Sequence, residues 1–148
     1  MPRAFFFLVV IALAAFLLDQ AVKAVFLNGF RSYNECIDLI LVFNKGVAFS
    51  MFAFLKDALK WIQIALLVGV LIYTLWLQKR AYFFPIGLLL GAGFSNIFDR
   101  FLHAGVVDYV YWHCGFNFAV FNLADVMIDF AVIWLFILNF FPRFREVK

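Results

Sequence analysis

Residues 5–26 read FFFLVVIALAAFLLDQAVKAVF, the first long apolar stretch of the chain. About 20 mainly apolar residues are enough for an α-helix to cross the hydrocarbon core of a bilayer. The polar residues Asp19, Gln20 and Lys23 are confined to the end of the stretch. The stretch therefore predicts a transmembrane helix that carries polar groups near one membrane surface.

The same stretch has some features of a cleavable signal peptide. Arg3 precedes the apolar core, and Ala12-Leu13-Ala14 resembles a small-residue cleavage site. The apolar run continues through Leu18, beyond that triplet. We therefore expect this segment to be retained as a span.

Three further apolar stretches, about 59–77, 81–98 and 119–141, are also long enough to span a membrane. Of the 148 residues 68% are hydrophobic and 14% are charged, whereas a soluble domain has about 25% charged residues. This composition excludes a disordered chain, a disulfide-stapled miniprotein and a soluble nucleic-acid binder. We expect one domain, residues 1–148, an all-α membrane bundle of four transmembrane helices that has no nucleic-acid partner.

The distribution of basic residues predicts the orientation of the bundle. Six basic residues and one acid, Glu146, lie at the termini and in the link between spans two and three; the basic ones are Arg3, Lys79, Arg80, Arg143, Arg145 and Lys148. An excess of Lys and Arg in short loops marks the cytoplasmic side. We therefore expect both termini in the cytoplasm, with segments 27–58 and 99–118 on the outer face.

The two outer segments carry strand and turn signals. Residues 106–112 alternate in polarity, a turn follows at His113-Cys114-Gly115, and the aromatic run 116–121 comes next. This pattern predicts a β-hairpin. Residues 37–43 predict another strand, and Asn28-Gly29 predicts a turn. A small extracytoplasmic β-sheet on the helical bundle is therefore expected.

Polar residues of three spans fall at one depth. With a helical rise of about 1.5 Å per residue, Asp19 and Asn96 lie about 21 Å from the cytoplasmic ends of their spans. Asn122 and Asp125 lie about 29 and 24 Å from the cytoplasmic end of the fourth span. Polar groups inside a membrane are costly and usually functional. The layer therefore predicts a wet pocket near the outer edge of the membrane.

Several carboxylates could line this pocket; they are Asp19, Asp99, Asp108, Asp125 and Asp129. Two carboxylates in one confined site share a proton at neutral pH, and such a pair can act as base and acid on one water. A packing role is the alternative. Asp19 and Lys23 are spaced i,i+4 and could be only an intrahelical ion pair, and Gly87, Gly91 and Ser95 form a small-residue ridge for close helix packing.

Five short motifs occur in order along residues 19–125. They are DQAVK at 19–23, NKGVAF at 44–49, GAGFSNIFDR at 91–100, VVDY at 106–109 and FNLAD at 121–125. In these motifs and in its four spans the sequence resembles the bacterial lipoprotein signal peptidases, or type II signal peptidases. It departs from the family pattern at Ala92 and Ser95, where glycine is frequent, and at Tyr109, where phenylalanine is usual.

The resemblance implies an aspartyl endopeptidase of the bacterial cytoplasmic (inner) membrane, with its active site at the outer face. Its substrate is a prolipoprotein whose cysteine already carries diacylglycerol, and the cut falls just before that cysteine. The resemblance assigns Asp108 and Asp125 as the catalytic pair. The residues that it implies around substrate or behind the pair are Asp19, Lys23, Asn44, Gly46, Asn96, Asp99, Arg100 and Asn122.

The resemblance implies no cofactor and no metal. His103 and His113 stand ten residues apart without clustered cysteines, and we expect both to be surface residues. Membrane lipid and the prolipoprotein are the expected partners, and we expect a monomer. Asp129 lies one turn below Asp125, outside the motif. It could raise the pKa of Asp125, but we favour a buried acid that is hydrogen-bonded elsewhere.

Two other points stay open at this stage. Cys36 and Cys114 both lie in the predicted outer segments, where disulfides can form; they could pair, but we favour two free thiols. The alternative functions are a proton-relay or transporter subunit that uses intramembrane carboxylates, and a structural assembly subunit. A relay would need polar groups at several depths, whereas the cytoplasmic half of each span is almost entirely apolar.

Overall fold

The computed structural model describes residues 2–46, 53–55 and 58–141, with side chains from residue 5 onward except that of Ala53. It contains four long helices: α1 (Pro2–Leu27), α2 (Ala58–Leu77), α3 (Phe83–His103) and α4 (Leu123–Phe140). All four are long and apolar enough to cross a membrane. The side chain of Arg3, residues 47–49 of the second motif, and Arg143, Arg145, Glu146 and Lys148 lie outside the described residues.

Two strands, β1 (Ile37–Asn44) and β2 (Val106–Trp112), form one antiparallel pair. They lie beyond the end of the bundle where α1 and α3 end and α2 and α4 begin, here called the sheet end. The predicted strand at 37–43 is confirmed, and the turn at Asn28-Gly29 is present, with Gly29 at a φ of 100°. The bundle of four spanning helices with a small sheet is therefore the fold.

The predicted hairpin over 106–121 is wrong. β2 pairs with β1, which places Asp38 opposite Tyr111 and Asn44 opposite Val106. The segment after the turn returns beside β2 and meets it at a bond from the Phe118 N–H to the Trp112 carbonyl and at an isolated bridge between Val110 and Phe121. Residues 113–122 form no second continuous strand.

The preferred interpretation of two free thiols is also wrong, because Cys36 and Cys114 form a disulfide. The strand register explains the pairing. Ile37 lies opposite Trp112, and the His113 N–H donates to the Cys36 carbonyl at 3.0 Å. The two cysteines therefore flank one end of the sheet, a relation that the hairpin prediction did not contain.

Helix α3 is the centre of the bundle and packs against α1, α2 and α4. Its approach to α1 requires glycine. A Cβ on Gly91 would lie 2.1 Å from the carbonyl oxygen of Ala12, and one on Gly87 would lie 2.8 Å from that of Leu8. Small residues at this interface let the two backbones come close together, as the small-residue ridge predicts.

The distribution of buried residues is that of a membrane protein. Large apolar side chains cover the outside, with Phe6 64% and Trp76 76% exposed. The buried apolar cluster is small and centres on Leu8, Phe83 and Ile86. The buried charged side chains of Asp19, Lys23, Asp99, Arg100 and Asp108 all lie toward the sheet end. The interior of the bundle at that end is therefore polar.

Two helix ends differ from the predicted spans and bear on the site. Helix α3 continues to His103, five residues beyond the predicted boundary at 98, so Asp99 and Arg100 are helical. Helix α4 begins at Leu123 rather than near 119, which leaves Asn122 as its N-cap. Both shifts bring polar side chains to the helix ends that face the sheet.

Candidate active site

Asp108 is held on β2 by two amide side chains. Its Oδ2 accepts a hydrogen bond from Asn44 Nδ2 at 2.9 Å, and its Oδ1 accepts one from Asn122 Nδ2 at 2.7 Å. Asn44 is the last residue of β1, and Val106 of β2 lies opposite it. Pairing of the strands thus positions both the amide and the acid. The carboxyl group is 2% exposed, so it is almost fully withdrawn from water.

Asp125 is held at the start of α4 by a capping box. Its Oδ2 accepts from the Asn122 backbone N–H at 3.0 Å, while the Asn122 Oδ1 accepts from the Asp125 N–H at 2.9 Å. This reciprocal arrangement satisfies two backbone donors at a helix N-terminus. The other carboxylate oxygen accepts from Asn96 Nδ2 at 2.9 Å. Asn122 therefore contacts both predicted catalytic acids and brings them to one site.

Burial changes the titration of Asp108. Loss of solvent around the carboxyl group, followed by the charge of Asp125, raises the pKa of Asp108 to about 7. Hydrogen bonds from Asn44 and Asn122 oppose this shift, since both favour the ionised form. A carboxyl group with a pKa near neutrality can hold or release a proton under physiological conditions.

Behind the pair lies a buried ion cluster of Lys23, Asp19 and Asp99. The Lys23 Nζ lies 2.6 Å from Asp19 Oδ2 and 2.7 Å from Asp99 Oδ2, and all three side chains are essentially inaccessible to solvent. Lys23 also donates to Asn96 Oδ1 at 2.8 Å. Because the amide oxygen of Asn96 faces Lys23, its Nδ2 faces Asp125 and donates to it. The ion cluster therefore sets the orientation of a residue that contacts a candidate catalytic acid.

The remaining oxygens of the cluster join three parts of the fold. Asp19 Oδ2 accepts from Ser95 Oγ at 2.6 Å. Asp99 Oδ2 accepts from the Val107 N–H of β2 at 3.1 Å, and its Oδ1 accepts from Gln20 Nε2 at 2.7 Å. Gln20 and Ser95 were not among the predicted site residues. Their positions inside two of the five motifs were the signal that could have found them.

Arg100 fixes the chain that follows β1. Its Nη2 donates to the Gly46 carbonyl, and its Nη1 lies 3.5 Å from the Asn44 carbonyl. The Gly46 N–H donates to Asn44 Oδ1 at 3.0 Å. The Asn44 side chain is therefore held from one side while it donates to Asp108 from the other. Arg100 and Gly46 support the site through Asn44.

Tyr109, the departure from the family pattern, has a contact that phenylalanine could not make. Its hydroxyl accepts from the Leu123 N–H at 2.9 Å, and its ring stacks on Phe26 with centroids 4.1 Å apart. Burial raises the pKa of Tyr109 to about 12, so the hydroxyl stays neutral. The contact ties the residue after Asp108 to the first residue of α4.

The two carboxyl groups open into a cavity of about 480 Å³. Asn44, Asn96 and Arg100 also line it. Apolar wall residues such as Phe118, Val126 and Ile128 complete much of the lining. In the described ranges, no three His, Cys, Asp or Glu side chains are grouped to hold a metal ion. The arrangement suits acid–base chemistry by two carboxyl groups on a bound, partly apolar chain.

Two lining residues differ from the sequence prediction. Asp129 was interpreted as a buried acid with hydrogen bonds elsewhere, but it is exposed and lines the same cavity as Asp125. Greater depth in the membrane did not mean burial in protein, because this side of α4 is open. Gln63 of α2 also lines the cavity. It had not been considered, since it belongs to no motif.

Comparison with known proteins identifies the family. The family model described as signal peptidase (SPase) II matches residues 11–141. The chain is 63% identical over 129 residues to the lipoprotein signal peptidase of Sulfurimonas denitrificans, covering 87% of this chain and 84% of the relative. It is 54% identical over 142 residues to that of a Sulfurovum species, covering 94% and 96%.

The fold is also that of known structures. Two solved structures of a bacterial membrane enzyme each superpose with a TM-score of 0.78 at 21% sequence identity. The first match covers 95% of this chain and 91% of that chain, and the second covers 90% and 92%. Four spanning helices, the small sheet and the matches along the sequence therefore lead to one conclusion: the chain belongs to the signal peptidase II family.

Proposed function

We propose that this protein is an aspartyl endopeptidase that removes the signal peptide from diacylglyceryl-modified prolipoproteins, cutting just before the lipidated cysteine. Membership of the signal peptidase II family supports the reaction class. The single observation that carries the choice of residues is the contact of Asn122 with both Asp108 and Asp125. The Asn122 side-chain amide donates to Asp108 and its backbone N–H donates to Asp125, so one residue holds two carboxyl groups from separate elements at one cavity.

The proposed chemistry uses one proton shared by the pair. The ionised carboxylate takes a proton from a water molecule as the water oxygen bonds to the scissile carbonyl carbon. The protonated carboxyl donates its proton to the carbonyl oxygen, which gives a neutral tetrahedral intermediate. Collapse breaks the C–N bond as the cysteine amine takes a proton from one carboxyl group and the other carboxylate takes a hydroxyl proton from the intermediate. A carboxylic acid is left on the signal peptide, and the pair again holds one proton.

The surrounding side chains have roles that follow from their contacts. Asn44 and Asn96 each hold one carboxyl group, and their polar groups can also bind an extended peptide backbone. Arg100 carries a permanent positive charge beside the pair, which favours the charge that moves between the carboxyl groups during the reaction. Asp19, Lys23 and Asp99 act through Asn96 and through the position of α4.

The proposed orientation places both termini and the α2–α3 link in the cytoplasm and the sheet end at the outer face. Lys79 and Arg80 in that link support this direction. The cavity would then lie at the outer boundary of the membrane. A lipid-anchored peptide and water can both reach this depth. The proposal includes a monomer, because the hydrogen bonds that hold Asp108 and Asp125 all come from residues of one chain.

The alternative of a proton relay has no support in the described helices. Among their buried polar side chains, only Thr74 lies far from the sheet end, and its hydroxyl donates to the Val70 carbonyl of its own helix at 2.7 Å. A relay needs successive polar groups across the membrane. The polar groups here form one layer, as a site for a single reaction requires.

The test is cleavage of a diacylated prolipoprotein by purified protein in detergent. Asp108→Asn and Asp125→Asn each keep the shape of the side chain but remove its titratable proton, so both variants should lose cleavage completely while remaining folded. Asp38→Asn on β1 is the matched control and should cleave at the wild-type rate. Substantial turnover by either cavity variant would contradict the assignment of the pair.

A further inference from the structure

The cavity extends beyond the two acids toward a gap between α2 and α4. Helix α2 packs against α3 and scarcely touches α4. The cavity is nevertheless lined from both helices, by Gln63 on α2 and by Val126 and Asp129 on α4. The gap between the two helices is therefore the part of the cavity that faces the surrounding lipid.

Gln63 and Asp129 line one cavity and lie at similar distances from the first residues of their helices. Gln63 lies five residues after the first residue of α2, or about 7.5 Å, and Asp129 lies six residues after the first residue of α4, or about 9 Å, both measured from the sheet end. Among the described residues that line the cavity further along α4 than Asp125, Asp129 is the one that carries a carboxylate. The two polar side chains are thus similarly placed along their helices.

Among the residues that the structure describes, neither side chain has a partner that explains its presence. Gln63 Oε1 is buried without a hydrogen bond. The Asp129 carboxylate contacts no donor in the described part of the chain. A buried acceptor without a donor, and a carboxylate at membrane depth without a cation, both cost free energy. Helix packing does not require the Gln63 amide or the Asp129 carboxylate. A bound molecule therefore explains better why these two polar side chains line the cavity.

A molecule that binds both acceptors must supply hydrogen-bond donors. A peptide inside the hydrocarbon region must have its backbone N–H groups satisfied, and cleavage requires the chain near the scissile bond to leave the helical form. Asp129 lies four residues along α4 from Asp125, or about 6 Å. This is about two residues of extended chain at about 3.3 Å each. The signal-peptide residues just before the scissile bond fall at this level.

We propose that Gln63 and Asp129 form a hydrogen-bond-accepting subsite for the membrane-embedded end of the signal peptide, about two residues before the cut. The subsite rests on the proposed function, because its position is measured from the catalytic pair. Its ligand is a donor group of the substrate, either a backbone N–H or a serine or threonine hydroxyl. Asp129 and Gln63 then select and align the chain, while Asp108 and Asp125 carry out the cleavage.

The test compares kcat/KM for Gln63→Leu, Asp129→Leu and Asp129→Asn on matched diacylated lipopeptides. One substrate pair carries serine or alanine at the second residue before the cut. In the other pair, the backbone link at that residue is either the normal amide, which has an N–H, or an ester, which has none. The kcat/KM of the wild-type protein should fall about tenfold or more when the substrate donor that binds the subsite is removed. Asp129→Leu should lose a similar factor on the parent substrate and show little further loss on the substrate without the donor.

The arms of the experiment identify the donor. If Asp129→Leu causes little further loss of kcat/KM on the ester substrate, the donor is the backbone N–H. If it causes little further loss on the alanine substrate, the donor is the hydroxyl. Asp129→Asn should lose less than Asp129→Leu, because its amide oxygen can still accept. Ile133→Leu, a change of an exposed apolar residue one turn further along α4, is the matched control and should have the wild-type kcat/KM on every substrate.

Two results would overturn this inference, and both differ from a failure of the proposed function. Equal kcat/KM of Asp129→Leu, Gln63→Leu and wild type on all substrates, with Asp108→Asn inactive, would remove the subsite and leave the catalytic pair intact. Losses that are the same on all four substrates would show that the residues do not contact those donors. Complete inactivity of a folded Asp129→Asn would instead place Asp129 in the pair and contradict the proposed function.

Discussion

The Asp19 carboxylate on the first helix caps the last helix: its Oδ1 accepts a hydrogen bond from the Ala124 N–H at 2.8 Å. The other oxygen of the same carboxylate lies 2.6 Å from Lys23 Nζ. One buried side chain thus neutralises a lysine and satisfies an amide at the N-terminus of α4, next to Asp125. The position of α4, the helix that carries Asp125, therefore depends on an acid of the first helix.

Asp19→Ala should therefore destabilise the protein and lower its activity together. The change removes one partner of a buried ion pair, which costs about 3–5 kcal/mol when the other charge remains, and it leaves the Ala124 amide unsatisfied. Asp19→Asn keeps an oxygen for that amide, so it should lose stability but retain more activity than Asp19→Ala. Thermal unfolding in detergent and cleavage rates measure the two effects.

The control for this prediction is Leu18→Ala on the same helix, whose side chain is 56% exposed. It should change neither the unfolding temperature nor the cleavage rate appreciably. If Asp19→Ala were as stable as this control, the buried cluster would not determine the position of α4.

The pH dependence of cleavage should have its alkaline limb near the pKa of Asp108, which is raised to about 7. Above that pH the pair loses its shared proton, so kcat/KM should fall as pH rises. The hydrogen bond from Asn44 holds this pKa down. Asn44→Ala should therefore move the alkaline limb to higher pH, whatever its effect on the maximum rate. A limb that stays in place would show that another group controls it.

The same shift affects stability with a definite sign. Between the ordinary value of 3.8 and about 7 the native protein holds a proton on Asp108 that the unfolded chain has released. Stability falls with rising pH where the native state binds more protons. The contribution of Asp108 should thus decline across this window. Asp108→Asn should remove that part of the slope when unfolding temperature is plotted against pH.

Much of this organisation could be predicted because its signals are local. Span length follows from apolar composition, and the pairing of Asp19 with Lys23 follows from their i,i+4 spacing on one helix. The disulfide joins residues 78 positions apart and depends on which strands pair, a long-range relation without a local signal. Gln63 belongs to no motif, and only the packing of α2 shows that it lines the cavity.

Tyr109→Phe restores the residue usual in the family and tests the hydroxyl contact with Leu123. The ring can still stack on Phe26, so folding should be retained. The Leu123 amide loses its acceptor, at a cost of about 1 kcal/mol, and the link between β2 and the start of α4 weakens. We expect a modest fall in kcat with little change in KM, measured on the diacylated substrate. A larger effect on KM would indicate that Tyr109 contacts the substrate instead.

The Cys36–Cys114 disulfide should stabilise the sheet without taking part in the reaction. It fastens one end of β1 to the turn after β2, while the acids lie toward the other end of the pairing. Disulfides typically contribute about 2–4 kcal/mol by restricting the unfolded chain. Cys36→Ser with Cys114→Ser should lower the unfolding temperature yet retain cleavage, and thiol reagents should not inhibit. Complete inhibition by a small alkylating reagent would favour a cysteine nucleophile.

Lipid on the substrate should dominate the rate of cleavage. By helix rise, the polar layer of the spans lies about 21–29 Å from the helix ends opposite the sheet end. In the proposed orientation the scissile bond is therefore at the outer boundary of the membrane. A free peptide would have to be drawn there from water. A diacylglyceryl cysteine is already held there by its acyl chains, at about 0.8 kcal/mol for each buried CH₂.

The acyl chains should also determine which peptide bond meets the acids, since binding energy remote from the reacting group can orient it. Exposed apolar side chains such as Phe130 and Trp134 on α4 offer a surface for them. Removing the diacyl group should lower kcat/KM by orders of magnitude with the peptide unchanged. The measurement compares a lipidated prolipoprotein with its unlipidated twin in one detergent. Comparable rates would mean that the protein is a general intramembrane aspartyl protease, because the acyl chains would then contribute nothing to alignment.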